Sequence, residues 1–327
     1  MPSLEELKEI LAQDPENFVV LHDLALHFRK VNYSACFAMV ERAIASYEKN
    51  PMMDFQSNYF DLKRLHQHIL RDHLPEVLGP AYYLTDDRWM PVFRNGRLRE
   101  MAWNVTDDNI QYILPALTSV PLKKMYFLSI SVSCNPTMFM KHMVQGTFSM
   151  LRTLNLHFYH TPELSAFEDF FESCQCELAG LSSFGLRMPR INNAMALAAK
   201  NGLNRPESFS LTSMDRTGIQ PDYCEFLADD VRSSSLTRLA LVGTSIGNEG
   251  LFTLFESENF DSLQTLDVHD GVMTNGATMV IVSAHTMPSL RMIDLSYNTI
   301  DAAGLNRLKT ATVECKTDHQ HERPLGR

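Results

Sequence analysis

Hydrophobic positions in the last third of the chain recur in a fixed frame. The segments LTRLALVGTSIGNEGLFTLFES, LQTLDVHDGVMTNGATMVIVSA and LRMIDLSYNTIDAAGLNRLKTA align as L-x-x-L-x-L-x-x-N-x-L with a glycine shortly after. Their apolar positions are Leu236, Leu239, Leu241 and Ile246; Leu263, Leu266, Val268 and Met273; and Leu290, Ile293, Leu295 and Ile300. Alternation early in each unit predicts a short strand with one buried face, and the spacing after Gly250, Gly276 and Gly304 predicts a helix. The frame extends backwards through Phe209-Leu211, Leu181-Phe184-Leu186, Leu151-Leu154-Leu156, Leu122-Met125-Phe127 and Leu98-Met101-Trp103. The middle apolar positions are then 101, 125, 154, 184, 209, 239, 266 and 293, at steps of 24, 29, 30, 25, 30, 27 and 27. One such unit cannot bury its apolar face alone, so about eight stacked units, over residues 95–312, predict a solenoid with a continuous interior.

The first ninety residues follow a different period. Ser3-x-x-Glu6 reads as a capping box opening a helix that carries Leu4, Leu7, Ile10 and Leu11 on one face. Asp14-Pro15 ends it and is expected to start a second, with Phe18, Leu21, Leu24, Ala25 and Phe28 at helical spacing. A third is expected from about Ser34, with Cys36, Val40, Ala43 and Ile44 inward, and a fourth over 57–71. Pro75, Pro80 and Pro91 mark connections into the repeats. Residues 1–90 are therefore read as an all-α domain whose simplest role is to cover the end of the repeat core, and 313–327 as a flexible tail.

The repeat frame resembles the leucine-rich repeats, specifically the ribonuclease-inhibitor-like class with 27–29-residue units. The resemblance implies an α/β horseshoe with a parallel concave sheet and convex helices, behind the helical N-terminal domain. It also implies an asparagine that hydrogen-bonds backbone inside each turn. This chain keeps that residue only as Asn298, with Thr106, Ile130, Tyr159, Pro189, Met214, Thr244 and Gly271 elsewhere, so an irregular horseshoe is expected. Leu24, Ala25, Phe28, Tyr33, Ala43 and Ile44 resemble one tetratricopeptide hairpin; a generic helical cap is the alternative.

Composition narrows the function classes. The 327 residues carry 29 Lys+Arg against 39 Asp+Glu, a net charge of −10, which argues against a dedicated nucleic-acid binder and against an anionic membrane surface. No apolar run approaches the roughly 18 residues of a spanning helix, and MPSLEELKEI carries acids where a signal peptide carries basic residues. Six scattered cysteines without a C-x-x-C fit a reducing compartment. A cytoplasmic protein is expected, with a host-delivered effector as the alternative.

Motifs for chemistry are sparse. Gly243-Thr244-Ser245-Ile246-Gly247 matches the G-x-S-x-G nucleophile elbow, but Ile246 is the core equivalent of Ile300 and strand-turn-helix is what every unit does. His68 and Asp72 are spaced to meet on a helix, and Cys315, His319 and His321 are a remote metal set in the tail. No cofactor, metal or catalytic residue is assigned. By fold analogy, the resemblance implies a non-enzymatic interaction module of adaptor or effector type, binding another protein on the concave face. Residues flanking the inward positions point out of it: Tyr126, Asn155, His157, Arg187, Arg238, Asp267, His269, Asp270, Asp294 and Ser296. The acids gathered near its C-terminal end make a partner with a basic segment the expected ligand. A hydrolase using Ser245, or a structural subunit self-associating through the helical domain, are the other classes.

Overall fold

The capping box at the start of the chain forms as its spacing requires. Ser3 N donates to Glu6 Oε2 (2.7 Å) and Glu6 N to Ser3 Oγ (3.3 Å) in this computed structural model. Described are residues 3–86, 88–94, 97–119, 125–146, 150–216, 218–283 and 286–320; Leu122 of the repeat frame and His321 of the tail lie outside them. The chain divides into two compact units, Met1–Asn104 with Asp108–Phe127, and Val105–Asp107 with Leu128–Arg327.

In the first unit, α1 (Leu4–Gln13), α2 (Phe18–Phe28), α3 (Tyr33–Lys49), α4 (Gln56–Asp72) and α5 (Leu74–Leu78) follow the helical periodicity. The second helix begins later than Asp14-Pro15 suggested, because Asn17 is its cap, accepting from Val20 N. Phe18, Leu21, Ala25, Cys36, Phe37, Val40, Leu62 and Ile69 form the core of these helices. The connection expected to lead into the repeats instead holds β1 (Val92–Arg94), which pairs antiparallel with β2 (Arg97–Val105). A short α6 (Ile113–Leu117) follows.

In the second unit, strands and helices alternate as the repeat requires. The strands are β3 (Phe127–Val132), β4 (Thr153–Phe158), β5 (Ser183–Met188), β6 (Ser208–Ser213), β7 (Arg238–Val242), β8 (Thr265–Asp267), β9 (Met292–Asp294) and β10 (Glu314–Lys316). Between them lie α7 (Pro136–Met143), α8 (Leu164–Ser173), α9 (Gln175–Leu178), α10 (Asn193–Asn201), α11 (Pro221–Asp229), α12 (Gly247–Glu256), α13 (Asn275–Ser283) and α14 (Ala302–Leu308). In this unit the strands follow one another in the sheet in chain order, and β4 to β10 pair parallel in register. This mixed α/β arrangement fits a repeat solenoid. Residues 314–316, expected in a flexible tail, are instead a strand, because Glu314, Cys315 and Lys316 take the register of Met292, Ile293 and Asp294.

Every middle apolar position of the frame is at most 3% exposed, from Met101 and Met125 through Leu154, Phe184, Phe209, Leu239 and Leu266 to Ile293. Helices cover this side of the sheet: Phe139 of α7 meets Phe158 edge-on, and Phe171 of α8 meets Phe184. The turns after the later strands share a left-handed residue at 27-residue steps, Arg216, Gly243, Asp270 and Tyr297, then His319. Gly243 is required at its place, since a Cβ there would stand 2.1 Å from the Ser213 carbonyl oxygen.

Asn298 occupies the turn as the resemblance implied. It is 1% exposed, accepts from Gly271 N (3.0 Å) and Met273 N (2.8 Å), and donates to the carbonyls of Val268, Leu295 and Ser296. Thr244, in the same slot of an earlier unit, makes one such bond, to Leu241 O (3.0 Å). Asparagines at the helix starts also tie units together. Asn248 Oδ1 accepts from Thr274 N and Ala277 N, Asn275 Oδ1 from Asp301 N, and Asn193 Oδ1 from Gln220 N.

Candidate binding face

Alternation leaves one side of each strand outward. On β4 to β6 exposure strictly alternates with burial, so the outward residues are Thr153, Asn155 and His157; Ser183, Gly185 and Arg187; and Ser208, Ser210 and Thr212. On β7 the corresponding positions are Arg238, Ala240 and Val242. Register places Asn155, Gly185, Ser210, Ala240, Asp267 and Asp294 in one row across six strands. Small side chains floor its middle. Gly185 is fixed by a neighbour, because a Cβ there would stand 2.5 Å from Asn155 Oδ1.

The charges on this face divide by position. The Arg187 and Arg238 side chains are exposed and form no ion pair, hydrogen bond or ring contact within the described residues. His157 lies beside Arg187 in register, with its Nε2 buried and without a hydrogen-bond partner. Burial, aided by the Arg187 charge, holds this imidazole below the usual histidine pKa.

The acidic end is already occupied from within the chain. Asp267 Oδ1 is 2.7 Å from His269 Nδ1, Asp294 Oδ2 is 2.9 Å from Lys316 Nζ, and Asp270 Oδ2 is 2.7 Å from Arg216 Nε. Hydrogen bonding to Asp267 raises the His269 pKa, helped by the charges of Asp294 and Asp270. Burial works to raise the Asp294 carboxyl, but Ser296 and Lys316 together hold it below the usual aspartate range. Asp267, His269 and Asp294 bring one ligand atom each within 4.8 Å of one another, the set closest to a metal site among the described residues. The Lys316 ammonium on Asp294 already sits where it would oppose a cation.

Asp294 and Ser296 were expected in the open and are not. They are 8% and 2% exposed, because Lys316 lies against Asp294 and Asp318 N donates to Ser296 Oγ (3.1 Å). Tyr126 belongs to the first compact unit, where Arg99 lies over its ring at 4.4 Å. Asn155, His157, Arg187, Arg238, Asp267, His269 and Asp270 all remain at least partly exposed on the second unit. Lys316, Asp318 and Arg216 were not singled out in the sequence, although the alternation Val313-x-Cys315-x-Thr317 is a strand signal that places Lys316 outward.

Other motifs resolve locally. Ser245 Oγ donates to the Arg216 carbonyl (3.2 Å), and its hydrogen bonding involves no imidazole. His68 Nδ1 meets Asp72 Oδ2 at 2.7 Å, one turn along α4. Cys174 is buried and Cys176 exposed, both as free thiols. No described helix is long and apolar enough to cross a membrane.

No family model and no curated protein matches the chain. Among solved structures, a Bacteroides fragilis protein is similar over 68% of this chain and 75% of its own, at 15% identity and a TM-score of 0.49. The yeast Rad7 and Elc1 complex contains a chain matched over 100% of this one and 98% of its own, at 13% identity and a TM-score of 0.36.

Proposed function

We propose that this chain is a non-enzymatic protein-interaction module of the leucine-rich-repeat type, in an adaptor or effector role, that holds a partner protein on the sheet face opposite the helices. The observation supporting this is the mid-sheet row Asn155, Gly185, Ser210 and Ala240. Short side chains at Ser210 and Ala240 leave the backbone approachable on two adjacent strands, beside the small polar pair Asn155 and Gly185, while the apolar residues of the same strands are used up in the core. Strands at roughly 4.8 Å spacing from β3 to β10 span about 34 Å, enough for a partner burying about 800 Å² per side.

The test fills the row with bulk. Ser210→Arg with Ala240→Gln should abolish capture of a partner that the wild-type chain retains from lysate. Met138→Gln, on the exposed side of α7, should leave capture intact. Equal capture by all three folded proteins would remove this face from the interaction.

A further inference from the structure

The distribution of unsatisfied charge says what kind of segment this face accepts, given that it is the binding face proposed above. The carboxylates at its C-terminal end are each engaged from within the chain: the His269 imidazole on Asp267, Arg216 on Asp270 and Lys316 on Asp294. An incoming basic segment would have to displace those groups. The cations of β5 and β7 have no such partners among the described residues, and no outward position of β4 to β7 holds an Asp or Glu, although acids outnumber bases by 39 to 29 in the chain.

We infer that β4 to β7 dock an extended acidic peptide segment of the partner, with its carboxylates on Arg187 and Arg238. Register supplies the geometry. Arg187 stands opposite Thr212 and Arg238 opposite Ser208, so Ser210 lies midway on the diagonal between the two arginines. Two strand spacings across and four residues along put their Cα atoms about 16 Å apart. Carboxylates four residues apart on an extended chain share one face about 13 Å apart, within reach of both flexible guanidinium groups. Ala240 flanks the diagonal with only a methyl group, and Ser208, Ser210 and Thr212 offer hydroxyls that engage no group among the described residues. Guanidinium recognises carboxylate in bidentate fashion, which a partner could exploit at both ends of the diagonal.

The probe is a fluorescein-labelled Gly/Ser peptide carrying Glu at every fourth position, compared with its Gln and Lys counterparts by anisotropy on the full chain. The Glu peptide should bind, the Gln and Lys peptides should not, and raising salt from 50 to 300 mM should weaken binding by about tenfold. Arg187→Glu with Arg238→Glu should weaken it at least about tenfold, whereas Lys141→Glu with Arg205→Glu, exposed cations off this face, should not. Preference for the Lys peptide, equal loss in both double variants, or tighter binding of a phosphoserine peptide or single-stranded oligonucleotide than of the Glu peptide would overturn the inference. If bulk at Ser210 and Ala240 abolishes partner capture but charge reversal at the arginines does not, the face is right and its acidic ligand is wrong. Failure of both disposes of the face itself.

Discussion

The sheet has two stretches built from the same frame to different ends. From β4 to β6 the strands are six residues long and their outward residues form no ion pairs among the described residues. From β8 to β10 they are three residues long, and the outward residues are knitted into ion pairs and turn contacts. The second stretch is the one whose sequence follows the repeat most faithfully. Fidelity to the repeat therefore marks well-organised turns, with Asn298 in its slot and Asp270 and Tyr297 in the left-handed position, rather than long strands. Where the turn residues drift, the strands lengthen and their outward side chains are released from structural duty.

That contrast can be broken at the core first. Leu154→Ala and Ile293→Ala should each cost about 2–5 kcal/mol in urea melts, since both stretches depend equally on inward packing. A markedly cheaper Ile293→Ala would mean that the short-strand stretch is held by its turns alone. Asn298→Ala should cost about 3 kcal/mol, because several buried backbone groups lose a partner worth about 1 kcal/mol each. Thr244→Val, deleting one bond in the equivalent slot, should cost about 1 kcal/mol.

Outward positions sharpen the comparison at smaller scale. Asp294→Ala removes the bonds to Ser296 N and Lys316 and should cost about 1–2 kcal/mol. Ser210→Ala should stay within about 0.5 kcal/mol; equal costs in chemical denaturation would erase the distinction. The smallest effect is on pH dependence. His269 has its pKa raised in the fold, so its pairing with Asp267 is fully stabilising below the ordinary histidine value of about 6.5. The contribution is lost as pH rises through the higher folded value. The pair is partly exposed, so the change should remain below about 1 kcal/mol. An NMR titration should place the His269 midpoint above about 6.5, and His269→Gln should remove this part of the stability change between pH 6 and 9.

Much of the fold was legible because burial imposes a period. The eight middle positions are apolar for a reason local to each unit, and all eight are buried. The hairpin of β1 and β2 was missed although Asn95-Gly96, a strong hairpin dipeptide, separates Arg94 from Arg97 in the sequence. The site was harder to read. Alternation gives the side a residue faces, and it correctly placed Arg187 and Arg238 outward. It cannot give what arrives from another strand to cover that residue. Asp294 and Ser296 were lost to view because Lys316 and Asp318 lie 22 residues further on. The apparent acidic patch had a similar origin: Arg216 and Lys316 pair with Asp270 and Asp294 through contacts that no single unit contains, while His269 engages Asp267 within its own unit.

The tenth strand also bears on edge-to-edge addition at this end of the sheet. A parallel sheet that simply stopped at β9 would present an open ladder to any extended chain, including another copy of itself. β10 ends the series with three residues, Glu-Cys-Lys, whose Glu314 and Lys316 are charged. A short strand with opposite charges is a poor template for edge-to-edge addition. Removing residues 314–320 would expose the Met292–Asp294 ladder and strip Asp294 of its cation. The expected result is filament-like association through β9.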